Sequence, residues 1–370
     1  MGKRELLLVV VFVVLGIGVY QVTAPAAPAD APGFSIERMV NFAKAHFNGA
    51  RARRTITRTV TQTLPAGVAI VGIDPMRGNV VVEGSDRPDV EVRLEAGLAG
   101  MDDADLDRQA KQLEVTLVTE GDAARVRIAF QGEGRRPKYD IHLALPRHLK
   151  VELSGRATAE VRDVAGIHLA GYSGELRTEA IAGPITGDAR ELSSEFGEDA
   201  TIDLKLREGR LRAESPRELK VDCERTTIEV VDAAGPLTFQ EDYCRMNIRG
   251  TGGPIKVTGD GGTIDLRQVE HPLTIEADRL TVNAELTTPQ PTTIAVEDDT
   301  VEVELPRDGG VMLEARAVDA ELRLPQGLTA TVADRVSSIK TAIAGGGPLV
   351  KIDLTRGMLR IRGKAIAPES

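Results

Sequence analysis

Tryptophan is absent from this chain, and aromatic residues of all kinds make up only 3% of it. That argues against a deep ligand pocket walled by rings. Two cysteines in 370 residues exclude a disulfide-rich scaffold. The five histidines, His46, His142, His148, His168 and His271, lie far apart. His142 and His148 straddle Pro146 at a spacing that fits neither a two-ligand helix nor a zinc hairpin, so no metal is expected. There is no Gly-x-Ser-x-Gly, no phosphate loop and no His-Glu-x-x-His, hence no catalytic residue and no cofactor to nominate. An excess of positive charge is also missing. The net charge is −10, which makes nucleic acid an unexpected partner.

What the chain does have is a short period. From Pro236 to Pro289 it reads PLTFQEDYCRMNIRGTGG, PIKVTGDGGTIDLRQVEH, PLTIEADRLTVNAELTTP, and ELKVDCERTTIEVVDAAG at 218–235 fits the same 18-residue frame. A fixed short period is the signature of a solenoid. The second and fourth positions of each rung are apolar: Leu219 and Val221, Leu237 and Phe239, Ile255 and Val257, Leu273 and Ile275. So are the eleventh and thirteenth, from Ile228 and Val230 to Val282 and Ala284. Spacing by two places each pair on one face of a short strand, so each rung reads as two strands with a turn between them. One rung alone cannot bury its apolar face, but rungs stacked at about 4.8 Å build a continuous core. Pro is tolerated at the first residue of a strand.

Taken in order, residues 1–22 contain LLLVVVFVVLGIGVYQV, an uncharged stretch at the lower bound for crossing a bilayer. Two readings stand: a retained single-pass anchor, or a signal peptide cleaved near Ala27-Pro28-Ala29. Either one exports the remainder, and Lys3 and Arg4 favour an N-terminus inside. Residues 23–33 form an Ala/Pro linker. Residues 34–50 predict a helix with Ser35 as N-cap and Gly49 at its end, either a cap on the solenoid or a helix lying on the membrane. Arg51, Arg53, Arg54 and Arg58 follow, facing lipid phosphates or simply solvent. Residues 55–145 predict an irregular β region with a helix at 102–112 and a hairpin around Glu120-Gly121-Asp122. The solenoid repeat is expected over 146–363, about ten to twelve rungs and roughly 50 Å or more long. The step from Gly183 to Gly235 holds three rungs with one slightly short, and 289–347 is less regular. Residues 364–370 form a tail.

GNVVVEGSDRPDVEVRLEA, a short helix, a hairpin, LPRHLKVELSGRATAEV and the Gly-punctuated VRDVAGIHLAGYSGELRTEAIAGPITGDA together resemble the bacterial putative-adhesin family of β-strand-repeat proteins, over residues 65–362. The resemblance implies a mainly β, right-handed parallel β-helix, exported or membrane-anchored, with no catalytic residues. Here the small polar-Gly corners of that family are partly replaced by Leu176, Glu191 and Glu208-Gly209.

Candidate chemistry is sparse. Asp298-Asp299 and Thr258-Gly259-Asp260-Gly261-Gly262 fall short of a calcium loop's ligand count and read as turns. Asp265, Arg267, Glu229 and Arg249 sit at outward positions where solenoid enzymes acting on acidic polysaccharides carry their charges, yet outward charge is what any soluble solenoid needs. Cys223, at position six of its rung, and Cys244, at position nine of the next, share inward parity on either side of one corner. They form a candidate disulfide in an exported domain, or two buried thiols. The expected function is a non-enzymatic, membrane-anchored, extracytoplasmic scaffold or adhesin-like binding module of the cell envelope, contacting an envelope polysaccharide or protein. The alternatives are a polymerising scaffold that stacks end to end through unpaired strands, and a polysaccharide-active β-helix enzyme.

Overall fold

The computed structural model describes residues 52–73, 78–100, 102–131, 137–198 and 200–363. The expected membrane segment, linker, cap helix and tail lie outside them. Among the described residues no helix is long and apolar enough to cross a membrane. The chain is mainly β, and its strands join into one sheet.

The first strands are β1 (Ala52–Gln62), β2 (Ile70–Ile73), β3 (Gly78–Ser85) and β4 (Val90–Gly100). Helix α1 (Asp103–Lys111) follows, with the Asp102 side chain accepting from the Asp105 amide at its N-cap. It leads to β5 (Leu113–Glu120) and β6 (Ala123–Phe130), the antiparallel hairpin expected around Gly121, and to β7 (Lys138–Pro146). Then come the long strands β8 (Lys150–Arg162), β9 (Gly166–Glu179), β10 (Pro184–Phe196), β11 (Thr201–Glu214), β12 (Glu218–Ala233), β13 (Leu237–Thr251) and β14 (Ile255–Val269). The last group is β15 (Leu273–Arg279), β16 (Thr281–Leu286), β17 (Thr292–Glu304), β18 (Val311–Val318), β19 (Ala320–Arg323), β20 (Thr331–Ala333), β21 (Val336–Ile343) and β22 (Leu349–Arg362).

From β8 to β17 each layer pairs in parallel with the next, giving a solenoid-like stack. The offset follows the sequence. Leu219 faces Leu237, which faces Ile255, which faces Leu273, each 18 residues on. Pro184 faces Thr201 and Thr201 faces Glu218, two offsets of 17. The span from Gly183 to Gly235 therefore contains two short layers rather than one. The second and eleventh frame positions are buried throughout: Leu219, Leu237, Ile255 and Leu273, and Ile228, Met246, Ile264 and Val282. Each such side chain contributes about 1.5–3 kcal/mol relative to exposure, an upper estimate because unfolded chains are partly compact.

From β8 to β14, and in β17 and β22, a layer is one long strand bent at a corner, whereas β15 with β16 and β18 with β19 form layers of two strands, as the sequence predicts. Glu191, Glu208, Arg225, Tyr243 and Gly261 occupy equivalent corner places in successive layers, all with positive φ (49°, 57°, 50°, 56° and 103°). A left-handed residue turns the strand sharply without breaking its pairing, at a cost of about 1–2 kcal/mol where a Cβ is present. Leu176 does not belong among them. It lies within β9 and is fully buried, because Gly171 and Gly174 already make the bend.

Both ends depart from simple winding, and the stack starts earlier than residue 146. β2 and β3 pair in parallel with the two halves of β8 on one side, and with β6 and β7 on the other. The chain thus passes from β7 to β8 over a layer laid down before. At the other end β22 sits between β17 and the layer formed by β18 and β19. Antiparallel strands finish both ends: β4, β1 and β5 at one, β21 and β20 at the other. Arg54 reaches from β1 to Asp103 (3.0 Å) and Asp107 (2.6 Å), and Arg58 donates to the Ala110 carbonyl (2.8 Å). These arginines hold α1 against the end of the rod.

The corner at Gly357 of β22 has φ +116°, and a Cβ there would overlap the Asp299 carbonyl oxygen of β17. Gly357→Ala is expected to cost about 2 kcal/mol or more. Glu208→Gly, at a corner with a left-handed residue already in place, is expected to cost less than about 0.5 kcal/mol. Urea unfolding midpoints of the two variants check both values.

Candidate functional site

Three layers, β12 to β14, converge on the corner that carries most of the unusual chemistry. Frame position six points inward just before the bend. In successive layers it is occupied by Leu206, Cys223, Glu241, Gly259 and Ala277. Cys244 follows the bend of β13. The structure brings Cys223 and Cys244 together with their sulfurs in contact and their Cα atoms 6.6 Å apart, within the span a disulfide bridges. Both are about 1% exposed.

Glu241 is a carboxyl in an apolar column, only 3% exposed. Its Oε2 accepts the Cys244 amide (3.2 Å), while Oε1 has no partner. The space it occupies exists because the next layer has Gly259, where a Cβ would lie 2.7 Å from the Glu241 Cγ. Burial disfavours the charged form and pushes the carboxyl up to about 7; the Cys244 hydrogen bond opposes this, and Asp242 and Asp260 reinforce it. Reading the sequence overlooked this residue. The signal was its frame position, which it shares with Cys223.

Outside the bend, Tyr243 holds the left-handed corner place with its side chain 54% exposed. A Cβ on Gly261 would come within 2.9 Å of the ring, so the glycine in the next layer makes room for it. The Arg279 guanidinium lies 5.6 Å from the ring centroid. It also forks onto Asp260, at 2.9 and 2.6 Å, which holds the Asp260 carboxyl below its usual range. Beside this corner run two clefts. One, of about 300 Å³, is lined by Lys205, Arg207, Asp222, Glu224, Gln240 and Asp242 among others. The other, of about 320 Å³, is lined by Glu276, Asp278, Glu297, Asp353 and Thr355 around Gly259. Across the layers of the first, Lys205 pairs with Asp222 and Arg207 with Glu224, each at 3.6 Å.

The other residues singled out in the sequence have simpler places. Glu229, Arg249, Asp265 and Arg267 do share one outward face, in the second halves of β12 to β14. Glu229 pairs with Arg212 (3.4 Å), Asp265 with Arg267 (3.2 Å), and Arg249 donates to Gln268 (3.3 Å). Neither cleft lies over them. Asp299 is a corner residue whose side chain accepts the Thr300 amide (2.7 Å), and Asp298 faces Arg356 (3.5 Å). Asp260 is held by Arg279, as above. His142 lies on β7 and His168 on β9, with the His168 ring 3.2 Å from the Thr186 hydroxyl; His148 and His271 lie in the connections β7–β8 and β14–β15, and His46 lies outside the described residues. Among the described residues no three metal-ligating side chains converge.

No protein-family model matches the chain, and no curated protein matches it. Two solved structures are similar. One is described as a "putative cell adhesion protein" from Clostridium sporogenes, 10% identical, covering 84% of this chain and 100% of its own length at a TM-score of 0.20. The other, a "putative adhesin" from Bacteroides fragilis, is 11% identical and covers 84% and 97% at a TM-score of 0.20. At these values neither likeness carries an argument about this chain.

Glu241 supplies a pH test. Its folded value is raised above the unfolded one, so its neutral form costs nothing extra below about 4.5, and stability falls as pH rises through about 7. The loss is on the order of 3 kcal/mol at most. Glu241→Gln keeps an oxygen for the Cys244 amide and removes the charge. Its urea midpoint is expected to match wild type at pH 4 and exceed it at pH 8; parallel curves over that range would show that Glu241 is not buried as a titrating group.

Proposed function

We propose that this protein is a non-enzymatic, membrane-anchored, extracytoplasmic β-solenoid, wound right-handedly, that acts as an adhesin-like binding module of the cell envelope. The observation that carries the reading is the unbroken stack itself, in which layers from β6 to β21 share one core and present polar columns to solvent. Such a body is a stiff spacer with a long, shallow, repetitive surface, suited to a polymer or another extended partner rather than to an enclosed small molecule. Parallel crossovers are overwhelmingly right-handed, which supports the winding. The uncharged run at 6–22 and the Ala/Pro linker supply the anchor and the standoff. The Cys223–Cys244 bridge belongs to this reading, because an exported domain matures where disulfides persist.

The competing end-to-end polymer is less well supported. β1 offers an eleven-residue edge, but Arg53, Arg54 and Arg58 line it, and charged edges discourage strand addition. The enzyme reading lacks support from Glu229 and Asp265, which are tied to arginines on an open face.

Protease treatment of spheroplasts carrying the full-length chain tests the proposal. The expected result is digestion of the rod from outside, with the undigested chain membrane-bound at uncleaved mass and no free thiol after unfolding without reductant. Complete protection, together with two titratable thiols, would place the rod in the cytoplasm and end the adhesin reading.

A further inference from the structure

Within the proposed envelope-binding role, the geometry points to the Tyr243 corner as the contact site, and to a neutral or amino-bearing saccharide chain as its ligand. The first reason is the residue's place. Its column otherwise holds Glu191, Glu208, Arg225 and Gly261, all at the same left-handed bend. What sets Tyr243 apart is its side chain, a bulky ring where the rest of the column carries charged side chains or glycine. The second is display. Among the described residues the exposed large hydrophobic side chains are Tyr243, Val332 and Leu349, so Tyr243 is the one ring held open to solvent. The third is support. Gly261 gives the ring room, and Arg279 lies over it while both its guanidinium arms are fixed by Asp260. The ring is therefore held in one orientation before any ligand arrives, which lowers the entropic cost of binding.

The ligand class follows from what surrounds the ring. A flat, exposed ring offers an apolar face to the C–H side of a sugar, and planar carboxylate and amide groups accept or exchange hydrogen bonds with hydroxyls. Gln240, Asp242 and Glu224 line the adjoining cleft of about 300 Å³, and Asp278, Glu276 and Glu297 line the next one along the rod. The carboxylates outnumber the cations, and Lys205 and Arg207 are already paired with Asp222 and Glu224. Polyuronates and phosphate-bearing polymers would be repelled, whereas hydroxyls and amines would be welcome. The clefts follow one another across layers β11 to β17, so the surface suits a chain rather than a monosaccharide.

Affinity electrophoresis of the detergent-solubilised full chain tests this, with gels containing a soluble β-glucan, N-acetylated chito-oligosaccharide, an amine-bearing chitosan or a polyuronate. The expected result is retardation by at least one of the first three and not by the polyuronate. Tyr243→Gly suits the φ of the corner and should fold; its retardation should weaken about tenfold, while Tyr243→Phe should keep most of it. Equal retardation of wild type and Tyr243→Gly would overturn the site. So would retardation by the polyuronate alone, or by no polymer. Sedimentation of wild type with isolated envelopes separates this from the parent reading: binding to envelopes that is indifferent to Tyr243 sinks only the saccharide corner, and absence of envelope binding sinks both.

Discussion

Each layer of this rod hydrogen-bonds its backbone to the layer above and the layer below, at about 4.8 Å. A residue therefore has its counterpart in the next layer as its nearest neighbour, and every property of a position is multiplied along a column. Apolar columns such as Leu219–Leu237–Ile255–Leu273 become a core. Corner columns become a ridge of left-handed residues. A slip of one residue would turn each apolar column out to water. The corners guard against that, because a bend out of step with its neighbours cannot pair. Several changes of offset fall between layers, outside the paired columns, so that Leu273, for example, faces Thr292; the β8–β9, β9–β10 and β14–β16 pairs instead take up a residue as a register shift within the strand.

The same multiplication governs charge. Like charges in one column would stack a few ångströms apart, and much of the surface avoids this by alternation. Asp203 meets Lys220 (3.0 Å), Lys205 meets Asp222, Arg207 meets Glu224, and Arg212 meets Glu229. Exposed pairs of this kind contribute little stability individually. Their value here lies in removing repulsion that the in-register stack would otherwise impose. Around β13 to β17 the alternation lapses, and Asp242, Asp260, Asp278 and Glu297 follow one another near the corner with Arg279 as the fixed cation. Local departure from an otherwise general rule is what marks that region, as does the buried carboxyl of Glu241 one residue before Asp242.

Much of this was legible in the chain. The Gly-Pro and His-Pro steps set the period, alternation identified the inward pairs, and the cysteine parity put Cys223 and Cys244 on one corner. α1 and the hairpin at Gly121 followed from caps and turn residues. The misses share a cause. A frame read from neighbouring repeats assumes that sequence order is stacking order, and β2, β3 and β22 violate that. Their partners are distant in sequence, so nothing local in GNVVVEGS or LVKIDLTRG reveals where they insert. Leu176 was misplaced for a smaller reason: glycines on its N-terminal side, not Leu176 itself, make the bend of β9. Glu241 and Tyr243 were visible as exceptions to their columns, but only once the columns were compared across layers rather than along the chain.

The threaded strands have a mechanical consequence. In a coil wound strictly in order, tension on one end peels the outermost turn, breaking a few hydrogen bonds at a time at low force. β22 cannot leave in that way. It is flanked on both sides over nearly its whole length, by β17 and by β18 with β19, so a pull directed along it loads both rows of hydrogen bonds at once, in shear. β2 and β3 are gripped likewise between β6 with β7 and β8. A tethered rod built this way would behave as a stiff link that holds up to a threshold and then fails abruptly, rather than as a spring that pays out.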